Sequence, residues 1–155
     1  MAAGSEVTSW ATAISTNADN GRKVIFRFAE AFDAGFERSL KPVRIIIAWK
    51  YDSQSGQPAS EDHQRMNQME DSLESALDRG SLAILALVST GENLREWIYY
   101  TCSEGEFMAR LNSAFRGLPR FPIEIHIAND PSWDTYERFR SSMNKETINR
   151  SAPRR

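Results

Sequence analysis

Two histidines and one cysteine make up the chain's stock of side chains that most readily do acid–base, nucleophilic or metal chemistry near neutral pH. His126 follows Glu124 by two residues. In an extended strand the two share a face, where the carboxylate could orient the imidazole as a general base. The plainer alternative is a surface or half-buried histidine with its hydrogen bonds satisfied. His63 lies in the first turn of an expected helix. No cysteine or second histidine stands at ligand spacing from either one, so no metal is implied. Cys102 comes just before a helix start, and a helix N-terminus can lower a thiol's pKa. No glycine-flanked elbow accompanies it, so a small buried hydrophobe is the expected role. No stretch carries a phosphate-cradling or other cofactor motif, and no cofactor is expected.

The remaining candidates are aromatic and basic. In the stretch from Leu94 to Cys102, Arg95, Trp97, Tyr99 and Thr101 alternate with Leu94, Glu96, Ile98, Tyr100 and Cys102. The second set is the more aliphatic and is expected to face the helix-covered core. Trp97 and Tyr99 would then lie on the sheet's other face, near Arg44, Lys50, Glu124 and His126. Trp, Tyr and Arg dominate binding hot spots, so an open face of this kind would suit a ligand or a partner. The alternative is that an N-terminal hairpin covers it with Trp10, Phe26 and Phe28. In Asp130-Pro131-Ser132-Trp133-Asp134-Thr135-Tyr136, Asp130 is a helix cap and Pro131 the first helical residue. Trp133 and Tyr136 would dock that helix on the sheet. The functional alternative has Asp130 and an exposed tyrosine hydroxyl completing a polar pocket with Arg95.

The elements that must position these groups follow from hydrophobic periodicity. Residues 1–9 are small and polar and are expected to be flexible. A hairpin through Asn20-Gly21 joins a short strand around Trp10–Ile14 to Lys23–Phe28. The segment 30–41 is ambiguous: Phe32 and Phe36 have helical spacing, but Gly35 and the approach to Pro42 oppose a helix. Val43–Tyr51 is a strand with one fully apolar face and one half-apolar face, hence central. Ser60 is expected to cap a helix with Met66, Met69, Leu73, Ala76 and Leu77 as its stripe and Gly80 as its end. Leu82–Val88 is apolar on both faces and forms a hairpin with the aromatic strand. Ser103, with Glu106 three residues on, marks the next helix, lined by Phe107, Leu111 and Phe115. A strand over Ile123–Ile127 and the short Asp130 helix complete a domain of residues 10–140. Residues 141–155 are expected as a basic tail. From residue 43 to 128 the order βαββαβ predicts an α+β, ferredoxin-like split βαβ sandwich, with the N-terminal hairpin extending the sheet or covering it.

Composition narrows the function. At 41% hydrophobic and 26% charged, the chain of 155 residues is ordinary for one globular domain. A net charge of -2 does not suit a dedicated nucleic-acid binder. The lysine/arginine-glycine-aromatic run of an RNA-recognition module is absent, although that module shares the topology. A lone cysteine, no signal peptide and no long apolar run point to a cytoplasmic protein outside the membrane. Charge is uneven: residues 60–79 hold six acids against two bases, and 138–155 hold six bases against one acid. Either could meet a partner of opposite charge, or simply be solvated. Oligomeric state is left open.

Three stretches resemble a known family. They are Thr90-Gly91-Glu92-Asn93-Leu94-Arg95-Glu96-Trp97-Ile98-Tyr99-Tyr100-Thr101, the Asp-Pro-x-Trp-x-x-Tyr run from Asp130 to Tyr136, and the Gly56-Gln57-Pro58 loop before an acidic helix. Together they resemble the bacterial domain-of-unknown-function family 695 over roughly residues 10–139. That family has no assigned activity. Some members are similar to, or fused with, a domain like the protein inhibitor of ribonuclease E, which implies a regulatory binding role. The expectation is a non-enzymatic module that binds another protein through the aromatic face or the acidic helix. The alternative is a small-ligand binder or enzyme built around Arg95, Tyr99, Glu124 and His126.

Overall fold

The computed structural model describes residues 6–143 and the backbone of residues 147–151. Its elements are β1 (Val7–Thr16), β2 (Lys23–Phe32), a 3-10 turn (Arg38–Leu40), β3 (Val43–Lys50), α1 (Ser60–Leu77), β4 (Ala83–Gly91), β5 (Leu94–Thr101), α2 (Glu104–Phe115), β6 (Ile123–Asn129), α3 (Asp134–Ser142) and β7 (Thr147–Ser151). The fold is α+β: one open sheet in the order β6-β3-β5-β4-β2-β1-β7, with every neighbouring pair antiparallel. β3 is an interior strand between β6 and β5, as its apolar and half-apolar faces require, and the N-terminal hairpin extends the sheet, since β2 pairs with β4.

Both faces of this sheet are covered. On one, Met66, Met69, Leu73 and Leu77 of α1 and Phe107 and Leu111 of α2 pack on Ile45, Ile47, Trp49, Val88, Trp97 and Tyr99. On the other, Trp133, Tyr136 and Met143, from α3 and its flanks, pack on Phe28, Ile84, Leu87, Ile98 and Tyr100. The expected face assignment of β5 is therefore inverted. Trp97 and Tyr99 lie beneath α1 and α2, at 0% and 3% exposure, while Ile98 and Tyr100 face α3. β5 itself alternates without interruption against β3, whereas β4 carries an irregularity between Leu85 and Leu87: Leu85 pairs with Tyr99 but Leu87 with Ile98. One extra residue flips the alternation, which sends Leu87 to one core and Val88 to the other.

Several local expectations are corrected. Ser60 is the first residue of α1 rather than its cap; Ala59 holds the cap position without a side-chain bond. Ser103 does cap α2, accepting from the Glu106 N–H at 3.1 Å. The first hairpin does not close through a two-residue Asn-Gly turn: strand pairing ends at Thr16–Lys23, and only Gly21 there takes a positive φ. The two-residue turn with positive φ at both positions is Glu92-Asn93, between β4 and β5. Phe32 and Phe36 stack at 5.2 Å, but on a strand end and a loop, not on a helix. β1 starts at Val7, inside the stretch expected to be flexible, and β7 pairs with β1 inside the expected tail. Residues 1–5, 144–146 and 152–155 of those two segments lie outside the described residues. No helix among the described residues is long and apolar enough to cross a membrane.

Candidate functional site

Strand register decides which of the candidate residues meet. Arg95 and Tyr99 pair across the sheet with Trp49 and Ile45 of β3, whereas Glu124 and His126 pair with Ala48 and Ile46. Alternation puts the two sets on opposite faces, so no pocket joins Arg95 and Tyr99 to Glu124 and His126. His126 and Glu124 stand together on the exposed edge strand, 3.6 Å apart and more than half exposed, and Lys50 reaches the same carboxylate. That is a solvated ion cluster rather than a base in a cleft. Cys102, expected to be buried, is exposed. Among the described residues no three His, Cys, Asp or Glu side chains gather to hold a metal.

The Asp-Pro-Ser-Trp-Asp-Thr-Tyr segment fastens α3 to the sheet. The Asp130 carboxylate accepts from the Tyr100 hydroxyl at 2.7 Å and from the backbone N–H groups of Asp134 and Thr135. Burial would raise its pKa, but those three donors and nearby Arg44 hold it below the ordinary carboxylate range. Asp130 thus caps α3 from four residues ahead of the helix; Pro131 precedes the helix instead of starting it. Trp133 stacks on Tyr100 at 4.1 Å, and its indole N–H donates to the Lys41 carbonyl at 3.0 Å. The Tyr136 hydroxyl is buried and donates to the Ala29 carbonyl. It also accepts from Arg140 at 2.7 Å. None of these groups opens toward Arg95, which lies across the sheet.

What Arg95 does meet was not anticipated from the sequence. Cross-strand rows Thr12–Arg27–Val88–Trp97 and Ile14–Ile25–Thr90–Arg95 run over the α1 face at one end of the sheet. α1 and α2 cover the Trp97 end of these rows and leave the hairpin end open. The result is a groove of about 310 Å³ between α1's first turns and β1–β2, lined by Thr12, Ile25, Arg27, Gln57, Pro58, His63, Val88, Thr90 and Arg95.

Beside this groove Glu70 of α1, 3% exposed, is the centre of a charge cluster. Arg27 Nη2 donates to both of its oxygens at 2.8 Å, Trp97 Nε1 donates at 2.9 Å, and Arg95 Nη2 approaches to 3.4 Å. Burial would raise the Glu70 pKa, but the charge and hydrogen bonds of Arg27, the Trp97 N–H and Arg95 outweigh it and hold the carboxyl below its usual range. Arg95 lies over the Trp97 ring at 5.0 Å. Its side chain is nine-tenths buried, and its Nε–H has no hydrogen-bond partner. Burial lowers its pKa against the pull of Glu70.

The Gly56-Gln57-Pro58 loop forms the groove's rim and is held from two sides. Gln57 Nε2 donates to the carbonyls of Lys23 and Thr90, and the Tyr51 hydroxyl donates to the Gly56 carbonyl at 2.6 Å. Burial, partly offset by Arg95, pushes the Tyr51 hydroxyl up to about 12, so it stays a donor at neutral pH. Gly56 has φ +82°, and a Cβ there would come within 3.1 Å of the Glu92 backbone. Arg27 and Glu70 carried no separate sequence signal. Only an acid inside an otherwise apolar α1 stripe, one residue past Met69, hinted at a buried charge.

The fold and site define an α+β domain with helices on both faces of an antiparallel sheet and a basic groove beside the first helix. The model of a family of unknown function, DUF695, matches residues 8–140, and the chain belongs to that family. A comparison with curated proteins found no match.

Proposed function

We propose that this chain is a non-enzymatic binding domain that takes a small polar ligand in the groove between α1 and the β1–β2 hairpin. The observation that carries this reading is the pair Arg27 and Arg95, two guanidinium groups that line an open groove together with Thr12, Thr90 and His63. Charged donors on a partly desolvated wall make the stronger hydrogen bonds to a ligand that reaches them. The cavity's volume falls at the small end of ordinary ligand pockets. The protein-binding alternative built on the Trp97 and Tyr99 face has no surface to use, because both rings lie beneath α1 and α2. The order β6-β3-β5-β4, with α1 and α2 as crossovers, supports grouping the core with ferredoxin-like domains. Fold alone selects no function, so the site carries the argument.

Thr12→Trp tests the reading, since it places a large strand-compatible side chain in the groove. A panel of small polar metabolites is screened by thermal shift against both proteins. Compounds that raise Tm should do so only for the parent chain. Ligands that stabilise both forms equally would sink the groove as the site.

A further inference from the structure

Two guanidinium groups, Arg27 and Arg95, share the single carboxylate of Glu70 beside the groove. Both arginines line the groove, in a chain whose net charge is -2 and whose adjoining helix is acidic. Both bonds from Arg27 to Glu70 come from Nη2. The lining adds the hydroxyl-bearing side chains of Thr12 and Thr90 and the imidazole of His63. Donors dominate such a wall, and the planar guanidinium fork matches an oxyanion better than a neutral group. Arg95 is held in place by its stack on Trp97 and its approach to Glu70. Its guanidinium is therefore already held in place, which lowers the entropy cost of capture.

We infer that the groove recognises an oxyanion, the carboxylate or phosphate group of a small ligand, through Arg27 and Arg95, with Glu70 as the resident counter-ion. This rests on the groove being a binding site and adds the chemical class of what it binds. The Trp97 indole N–H, bonded to Glu70 inside the cluster, reports on it, and the Trp133 indole N–H on the opposite face serves as an internal control.

The ¹⁵N-labelled full chain is titrated with sodium phosphate, and separately with sodium acetate, at ionic strength held constant with sodium chloride. The expected result is a saturable shift of the Trp97 indole resonance with at least one of the two anions, while Trp133 stays still. The tighter of the two identifies the source as phosphate or carboxylate. Arg27→Gln is expected to weaken the apparent affinity by ten-fold or more. Should that variant fail to fold, Arg27→Lys keeps the charge, loses the fork, and is expected to weaken binding several-fold. A Trp97 response that chloride reproduces, or that the folded Arg27 variant leaves unchanged, overturns the inference. If neither anion moves Trp97 while Thr12→Trp still abolishes the stabilisation given by a neutral ligand, the groove stands and the oxyanion does not.

Discussion

At the scale of single residues, Glu70 concentrates the most electrostatic consequence. Three donors from two strands converge on it, so removing its charge leaves the buried Arg95 and the partly buried Arg27 without that counter-ion. Glu70→Gln should cost about 3 kcal/mol, the typical result of breaking one partner of a buried ion pair, measured by urea unfolding. The pH dependence has a definite sign. The folded pKa of Glu70 is depressed below its ordinary value of 4.5, so its stabilisation is present above that value and is lost as pH falls through the folded one. Stability of the parent chain should therefore fall on acidification below about 4.5, and the Glu70→Gln curve should be shallower there. Some slope must remain, because Asp130 is depressed too. Equal slopes for the two proteins would show that the cluster does not hold the carboxylate as described. Trp133 is a second instance of a residue fixed by its surroundings. It takes φ +57°, costly for a bulky side chain, and is held there by its stack on Tyr100 and its bond to Lys41.

At the scale of elements, the join between β2 and β4 is what builds the groove. Without it, Arg27 and Ile25 would not lie beside Val88 and Thr90. Gly91, the last residue of β4, lets the two strands approach: a Cβ there would sit 2.6 Å from the Lys23 carbonyl oxygen and 2.7 Å from the Val24 Cα. Those are backbone atoms, so the clash has no flexible side chain to absorb it. Gly91→Ala should cost about 2 kcal/mol, in the range of overpacking a tight site, read from the shift in the denaturation midpoint. Amide exchange should rise along the β2–β4 ladder while the β3–β5 ladder stays protected. Uniform loss of protection, or none, would mean that Gly91 is not the point of contact.

At the scale of the molecule, one sheet serves two cores, and the tryptophans record the division. Trp49 and Trp97 belong to the α1/α2 core and Trp133 to the α3 core, all at 1% exposure or less, whereas Trp10 on β1 is half-buried. Acrylamide should quench a minor part of the fluorescence, and Trp10→Phe should remove that accessible part. Efficient quenching that survives in Trp10→Phe would place Trp97 or another core indole at the surface and reverse the face assignment of β5.

The sequence by itself determined where the central elements lie. Val43–Tyr51 and the Leu94 stretch alternate with period two, Leu82–Val88 is a continuous apolar run of strand length, and α1 and α2 show stripes at three and four. Those signals arise within one segment, from neighbours only a few residues apart. The Asp130–Tyr136 run was legible for the same reason, since its cap and docking rings act over one turn of chain. Only the tertiary structure decided which face of β5 each helix takes. Alternation announces two faces, but when both are apolar it does not say which helix covers which, and α3 made both apolar. The registers of β3 against β5 and β6 then separated Arg95 from His126, and the pairing of β2 with β4 placed it beside Arg27 and Glu70, 68 and 25 residues away in the chain. Charges that meet across such separations leave no periodic trace, because nothing but the packed sheet brings them together.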